Sequence, residues 1–200
     1  MMNSKPEHLA VHVIRLDHKR LASVTAAMLA FVRMLGEDGT APDPILLRAM
    51  LYYIREYPEQ FHHPMEDRLL FAALRNRTDH FDDVLDELKC EHIEGDLRLR
   101  NLEHALTRFE LKGDAVLLGL RTLMEQYVNF CTNHRRVEET VILPAVERFL
   151  SESDWARIDA IVENRLDPFG DATFEGESLE SLYRLIVHAV PAIAETRQDA

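Results

Sequence analysis

Four long stretches of this chain carry apolar residues at alternating spacings of three and four, and each stripe is interrupted at one level by histidine or glutamate. That spacing marks one face of an α-helix turned toward a core. The first stripe is Val11, Ile14, His18, Leu21, Thr25 and Met28. The second is Leu47, Leu51 and Ile54, followed by His62, Glu66, Leu69 and Ala73. The third is Phe81, Leu85, Leu88, His92, Gly95, Leu99, Leu102, Leu106 and Phe109. The fourth is Leu117, Leu120, Met124, Tyr127, Cys131, His134, Glu138 and Val141. Four long helices with one seam each, joined by short turns, predict an all-α fold: an antiparallel up-down four-helix bundle.

Punctuation residues set the expected limits. Helix 1 is predicted from about Pro6 to Leu35, where the turn-rich residues 36–44 stop it. Helix 2 starts near Asp43 or Pro44 and runs to about Asn76, with a kink or short break at Pro58 and Pro64. Helix 3 starts near Thr78 or Asp79 and ends at Leu111, before Lys112, Gly113 and Asp114. Helix 4 runs from Asp114 to Leu150, bent by Pro144. Ser151 to Asp154 offer caps for a fifth helix to about Leu166, residues 167–171 break it, and a last helix covers Glu177 to Val190. No stretch alternates as a strand would. Residues 1–200 are expected to form a single domain, with its core at about 6–150. The two extra C-terminal helices, in about 151–200, cap one side of the bundle or form a homodimer contact.

The interruptions of the stripes are the informative feature. Burying a carboxylate costs several kcal/mol or more unless it is paired or bound to a metal. A metal centre gives His18, His62, Glu66, His92, His134 and Glu138 a common explanation, because coordination bonds replace lost hydration. His62 and Glu66 are four apart, so they lie about 40° apart around a helix and face one point. His134 and Glu138 repeat the arrangement.

An internal repeat supports the same grouping. His18 precedes His62 by 44 residues and His92 precedes His134 by 42. Each unit reads as a histidine, a long gap, then His-x-x-x-Glu, and each such glutamate is followed by another acidic residue (Asp67 and Glu139). Two units about a pseudo-two-fold axis would bring all six side chains to the bundle centre. His12 and His104 fall on other helix faces. His8, His80 and His188 lie near helix ends or outside the seams. His63 has Asp67 four residues on, but the match of Glu66 to Glu138 favours His62 as the ligand.

The net charge of −12 repels phosphate backbones and argues against nucleic-acid partners. The first residues, MMNSKPEH, lack the apolar segment of a signal peptide. The longest strongly apolar stretch, Ala115 to Leu120, is too short to span a bilayer. A cytoplasmic protein with no membrane partner is expected, and two cysteines without zinc-type spacing fit a reducing compartment.

With these residues in view, the chain resembles the hemerythrin family, in its bacterial HHE cation-binding branch. The resemblance rests on His18 in LDHKRL, on FHHPMEDRLLF, on His92 in CEHIEG and on NHRRVEETVILPAVE, and it covers about residues 8–150. It implies a non-haem di-iron centre with Glu66 and Glu138 bridging two iron ions. His18, His62, His92 and His134 would be terminal ligands, with a position open to a small oxygen or nitrogen species. Manganese or zinc are the alternative metals on general grounds. Oxygen-carrying members use two histidines one turn apart on the third helix; here the positions one turn from His92 are Leu88 and Asp96. The site is one imidazole short unless Asp96, Tyr127 or water fills the gap. Ferritin-like di-iron proteins use Glu-x-x-His, the reverse order at a shorter spacing. The expectation is a protein that binds or senses O2, NO or peroxide rather than a dedicated enzyme. A di-iron enzyme acting on peroxide or O2, or an iron storage or repair protein, is the alternative.

Overall fold

Prolines, which lack an amide hydrogen, shape two of the four long helical stretches. The computed structural model describes residues 8–36, 43–163, 173–174 and 177–195. The first stretch is α1 (Leu9–Met34). The second joins α2 (Pro44–Tyr57), a π-helical turn (Pro58–His62), α3 (His63–Met65), a second π-helical turn (Glu66–Phe71) and α4 (Ala72–Arg75). The third is α5 (Asp82–Lys112). A 3-10 turn (Gly113–Val116) leads to the fourth, made of α6 (Leu117–Val137), a π-helical turn (Glu138–Ile142) and α7 (Leu143–Phe149). Then follow α8 (Glu152–Glu163), the two-residue strands β1 (Thr173–Phe174) and β2 (Glu177–Ser178), and α9 (Leu179–Glu195).

The π turns replace the expected kinks. Immediately before Pro64, the His63 amide bonds the Pro58 carbonyl five residues back. Immediately before Pro144, the Leu143 amide bonds the Glu138 carbonyl in the same way. A proline cannot close the next i to i−4 bond, and a widened turn is one way for a helix to accommodate it. Each π turn adds a residue and moves the seam by one position. After Glu66 the buried residue is therefore Leu70 rather than the expected Leu69. After Glu138 it is Ile142, 1% exposed, while the expected Val141 is 36% exposed.

The core is split into two apolar clusters. One holds Val24, Met28, Phe31, Met50, Tyr53, Leu102 and Met124. The other holds Ile14, Leu70, Phe71, Leu88, Val146 and Trp155. Each fully buried large side chain contributes ~1.5–3 kcal/mol relative to exposure. Along α1, His18 falls between Ile14 of one cluster and Val24 of the other; along α5, His92 falls between Leu88 and Leu99. The polar interruptions thus form one layer between two greasy ones.

Cross-helix pairs run in opposite numerical order. Arg15–Glu147, His18–Glu139 and Arg33–Glu125 join α1 to the fourth stretch. Arg48–Glu110, Arg55–Glu103 and Arg75–Asp86 join the second stretch to α5. Ends are secured locally. Asp43 Oδ1 accepts the Ile45 amide at 2.9 Å, as an N-cap should. Arg121 donates to the Val32, Arg33 and Leu35 carbonyls at the end of α1. Gly36 follows at φ +76, and a Cβ there would meet Leu117 Cδ2 at 2.7 Å, so a side chain here would strain the backbone and push Leu117 aside.

Several boundaries differ from the sequence expectation, among them the start of α6 at Leu117 rather than Asp114 and the end of α9 at Glu195 rather than Val190. Helix 3 begins at Asp82, because the Thr78 hydroxyl accepts the His80 amide at 3.2 Å and holds a turn there. The β1–β2 pairing, Phe174 against Glu177, is too short to show alternation. The last helix starts after it, at Leu179. Pro6 and the expected end of helix 5 at Leu166 lie outside the described residues. The extra helices pack on the bundle. Asp159 of α8 accepts the Ala10 amide at 3.1 Å, His8 stacks on Trp155 at 4.0 Å, and Leu179 and Ile186 of α9 enter the first cluster.

Candidate metal centre

The structure brings all six predicted residues together. His18 comes from α1, His62 and Glu66 from the interrupted second stretch, His92 from α5, His134 from α6 and Glu138 from the π turn after it. Three of the six, His62, Glu66 and Glu138, stand within or at the start of π turns, where the widened helix redirects them. His18, His62, Glu66, His92 and Glu138 are each at most 7% exposed.

Two groups of ligand-type atoms form, each within 4.8 Å of one another: His18, His62, Glu66 and Glu138; and His92, His134 and Glu138. Glu138 belongs to both. Its Oε2 lies 3.2 Å from His18 Nε2, and its Oε1 lies 3.0 Å from His134 Nε2 and 3.7 Å from His92 Nε2. Glu66 also reaches across, with Oε1 at 3.6 Å from His18 Nε2 and Oε2 at 3.4 Å from His62 Nε2 and 3.6 Å from His92 Nε2.

The converging atoms lack ordinary partners. Among the described residues, His18 Nε2, His92 Nε2, His134 Nε2, Glu66 Oε2 and both Glu138 oxygens are buried without a hydrogen bond. One such atom costs ~1–3 kcal/mol, so a knot of them is a poor apolar core and a good cation cage. Imidazole nitrogens mixed with carboxylate oxygens are a donor set that suits first-row transition metals.

Behind the imidazoles stands a ring of carboxylates to which the sequence reading gave no role, noting Asp67 and Glu139 as part of the repeat and Asp17 and Glu91 not at all. Glu139 Oε1 is 3.0 Å from His18 Nδ1, Asp67 Oδ2 is 3.4 Å from His92 Nδ1, and Glu91 Oε2 is 2.7 Å from His134 Nδ1. Asp17 Oδ2 faces His62 Nδ1 at 3.5 Å. The pattern obeys the internal repeat. The acidic residue before each single histidine, Asp17 or Glu91, serves the second histidine of its own unit. The acidic residue after each glutamate, Asp67 or Glu139, serves the single histidine of the other unit. Acidic neighbours in the chain were the available signal. Carboxylates behind ligand histidines fix the tautomer and raise basicity.

The electrostatics follow from this density of charge. Burial alone would lower the His18 imidazole, but Glu138 and Glu66 overcome it and hold it up at about 10. His92 is likewise pulled down by burial and pushed up by Asp67 and Glu138, to about 10. His134 is also raised, burial being outweighed chiefly by Glu138. Burial works to raise the Glu138 carboxyl, yet His134, His18 and His92 hold it well below the ordinary carboxylate range.

A cavity of about 90 Å³ opens beside both groups, reached by His18 and His62 of one and His92 and His134 of the other, and is lined in part by Leu21, Thr25, Ile54, Leu99 and Tyr127. Asp96, Tyr127 and His63, the candidates for an additional ligand, all reach its wall, but among the described residues none joins the two groups. Asp96 pairs with Arg100 at 2.8 Å, and His63 stacks on His92 at 3.9 Å. His12, His80, His104 and His188 are exposed.

Residues 9–146 match the family model of the hemerythrin HHE cation-binding domain, and the chain belongs to that family. Comparison with curated proteins finds no match. No helix among the described residues is long and apolar enough to cross a membrane.

Proposed function

We propose that this chain is an antiparallel up-down four-helix bundle that holds two iron ions and uses them to bind or sense a small molecule such as O2, NO or peroxide. His18 and His62 would serve one ion and His92 and His134 the other, with Glu66 and Glu138 bridging. The observation that carries the reading is Glu138, buried to 1% exposure and presenting one oxygen to each group of histidines. Bound iron would supply electron exchange and a Lewis-acidic position for the small molecule. The protein's part is to orient the imidazoles through Asp17, Glu139, Asp67 and Glu91, and to keep bulk water off by the apolar layers on either side.

The cavity favours a small guest, and residues of both groups reach its wall. Among the described residues its wall shows no nucleophile held against a base, so the chemistry open to the guest is that of the metal pair itself. The test is an optical spectrum of the iron-loaded, reduced full chain before and after O2, NO or hydrogen peroxide. A new band with at least one of them is expected. Iron-loaded protein whose spectrum none of them alters would overturn the ligand assignment.

A further inference from the structure

The carboxylates behind the histidines are not equivalent. Glu91 is 29% exposed, whereas Asp17 is 3% exposed and has a second partner. The Tyr57 hydroxyl donates to Asp17 Oδ1 at 2.6 Å. The Tyr57 ring stacks on Tyr53 with centroids 5.5 Å apart and planes 4° apart. Tyr53 in turn meets Tyr183 of α9 at 5.6 Å. Tyr57 and Tyr53 are fully buried, while Tyr183 is half-buried, beneath the Arg20 guanidinium at 5.4 Å. Three of the chain's five tyrosines thus form a continuous line of ring contacts, stacked between Tyr57 and Tyr53 and tilted by 34° between Tyr53 and Tyr183, from the carboxylate behind His62 to the protein's edge.

The other half of the repeat does not carry these phenols: five and nine residues before His134, where Tyr57 and Tyr53 stand before His62, are Asn129 and Glu125. Nor does packing alone explain the stack. Among the described residues the Tyr53 hydroxyl, which is buried, has no hydrogen-bond partner, so phenylalanine would fill the space without stranding a polar atom. What the hydroxyl adds to the ring is electron density, which makes a phenol easier to oxidise than a phenyl group.

We infer that Tyr57, Tyr53 and Tyr183 form a one-electron path between the metal centre and the surface at α9. The inference rests on the metal-centre reading. When Tyr57 gives up an electron toward the centre, its phenolic proton shifts along the existing hydrogen bond to Asp17, leaving a neutral radical. An electron from Tyr183 crosses the stacked Tyr53 ring and restores Tyr57, which takes its proton back. Tyr183, at the solvent edge, loses its proton to water and is restored by a thiol in solution. Two such transfers reduce one hydroperoxide. Its O–O bond breaks, two electrons and two protons give alcohol and water, and two thiols become one disulfide.

Two measurements on the full chain test this. In the first, iron-loaded protein is frozen after one equivalent of hydrogen peroxide and its electron paramagnetic resonance spectrum recorded. A tyrosyl radical is expected, severalfold weaker in Tyr57→Phe at equal iron content, and longer-lived in Tyr183→Phe. In the second, metal-free protein is flash-oxidised by a soluble ruthenium photo-oxidant. The radical should outlast that in Tyr57→Phe and Tyr53→Phe, because only wild type can store it on Tyr57. A radical whose yield and lifetime are the same in all variants overturns the path. If the protein takes up no iron, the metal-centre reading fails by itself, and the flash experiment still decides the path.

Discussion

Glu91 and His134 are joined by a 2.7 Å hydrogen bond between Oε2 and Nδ1, which leaves Nε2 as the nitrogen that faces Glu138 at 3.0 Å. Orientation of a ligand by its outer partner is worth about 10–100-fold in metal affinity. Glu91→Gln and Glu139→Gln should each weaken iron binding by about that factor while leaving the fold intact. Competition with a chelator of known affinity measures it. Unchanged affinity in both variants would show that the ring of carboxylates is incidental.

Shared use of Glu138 makes its loss different from that of a terminal histidine. His134→Ala removes one ligand of the three-membered group, so about one metal equivalent should remain. Glu138→Ala touches both groups and should abolish stoichiometric loading. Without metal, Glu138→Ala also strands buried charged imidazoles, at a cost of ~3–5 kcal/mol. Metal analysis of both variants, with thermal melts of the chelated proteins, separates the two effects.

The charges fix the pH behaviour of chelated protein. His18 and His92 rise from 6.5 to about 10 on folding. Their contribution to stability is therefore complete below pH 6.5 and is lost as pH climbs toward about 10. Glu138 is depressed well below 4.5, so its contribution is present above that pH and lost on acidification below it. The chelated protein should melt highest between pH 4.5 and 6.5 and progressively lower toward pH 10. A melting temperature that rises steadily from pH 6.5 to 10 would contradict the burial of these imidazoles against carboxylates. Metal uptake at neutral pH must also release protons from the histidines, which a weakly buffered indicator dye detects.

Much of this cluster was legible because helical periodicity and the His-x-x-x-Glu spacing coincide. An imidazole four residues before a carboxylate on an apolar seam leaves few options, and all six residues do meet. Leu69 and Val141 were misplaced because periodicity assumes 3.6 residues per turn, and the π turns at Glu66–Phe71 and Glu138–Ile142 add one residue to the count. Asp17 escaped notice because an acidic residue beside a histidine looks like ordinary surface until the fold buries it against Tyr57. The start of α5 moved because one hydroxyl, Thr78, outweighed helix propensity over three residues.

A control lies away from the metal layer. Ser151 and Asp154 form a reciprocal cap on α8: the Ser151 amide donates to Asp154 Oδ2 at 2.9 Å, and the Asp154 amide donates to Ser151 Oγ at 3.3 Å. Arg77 joins them at 2.6 Å. Ser151→Ala should cost ~0.5–2 kcal/mol by denaturant titration and leave metal affinity unchanged. A loss of metal in this variant would mean that α8 controls the centre.

Elemental analysis of the purified full chain after iron loading and removal of excess metal bears most directly on the central claim. Two equivalents per chain are expected for the wild type, with essentially none in Glu138→Ala. Wild-type protein that retains no stoichiometric metal, or a Glu138→Ala variant that retains as much as wild type, would contradict it.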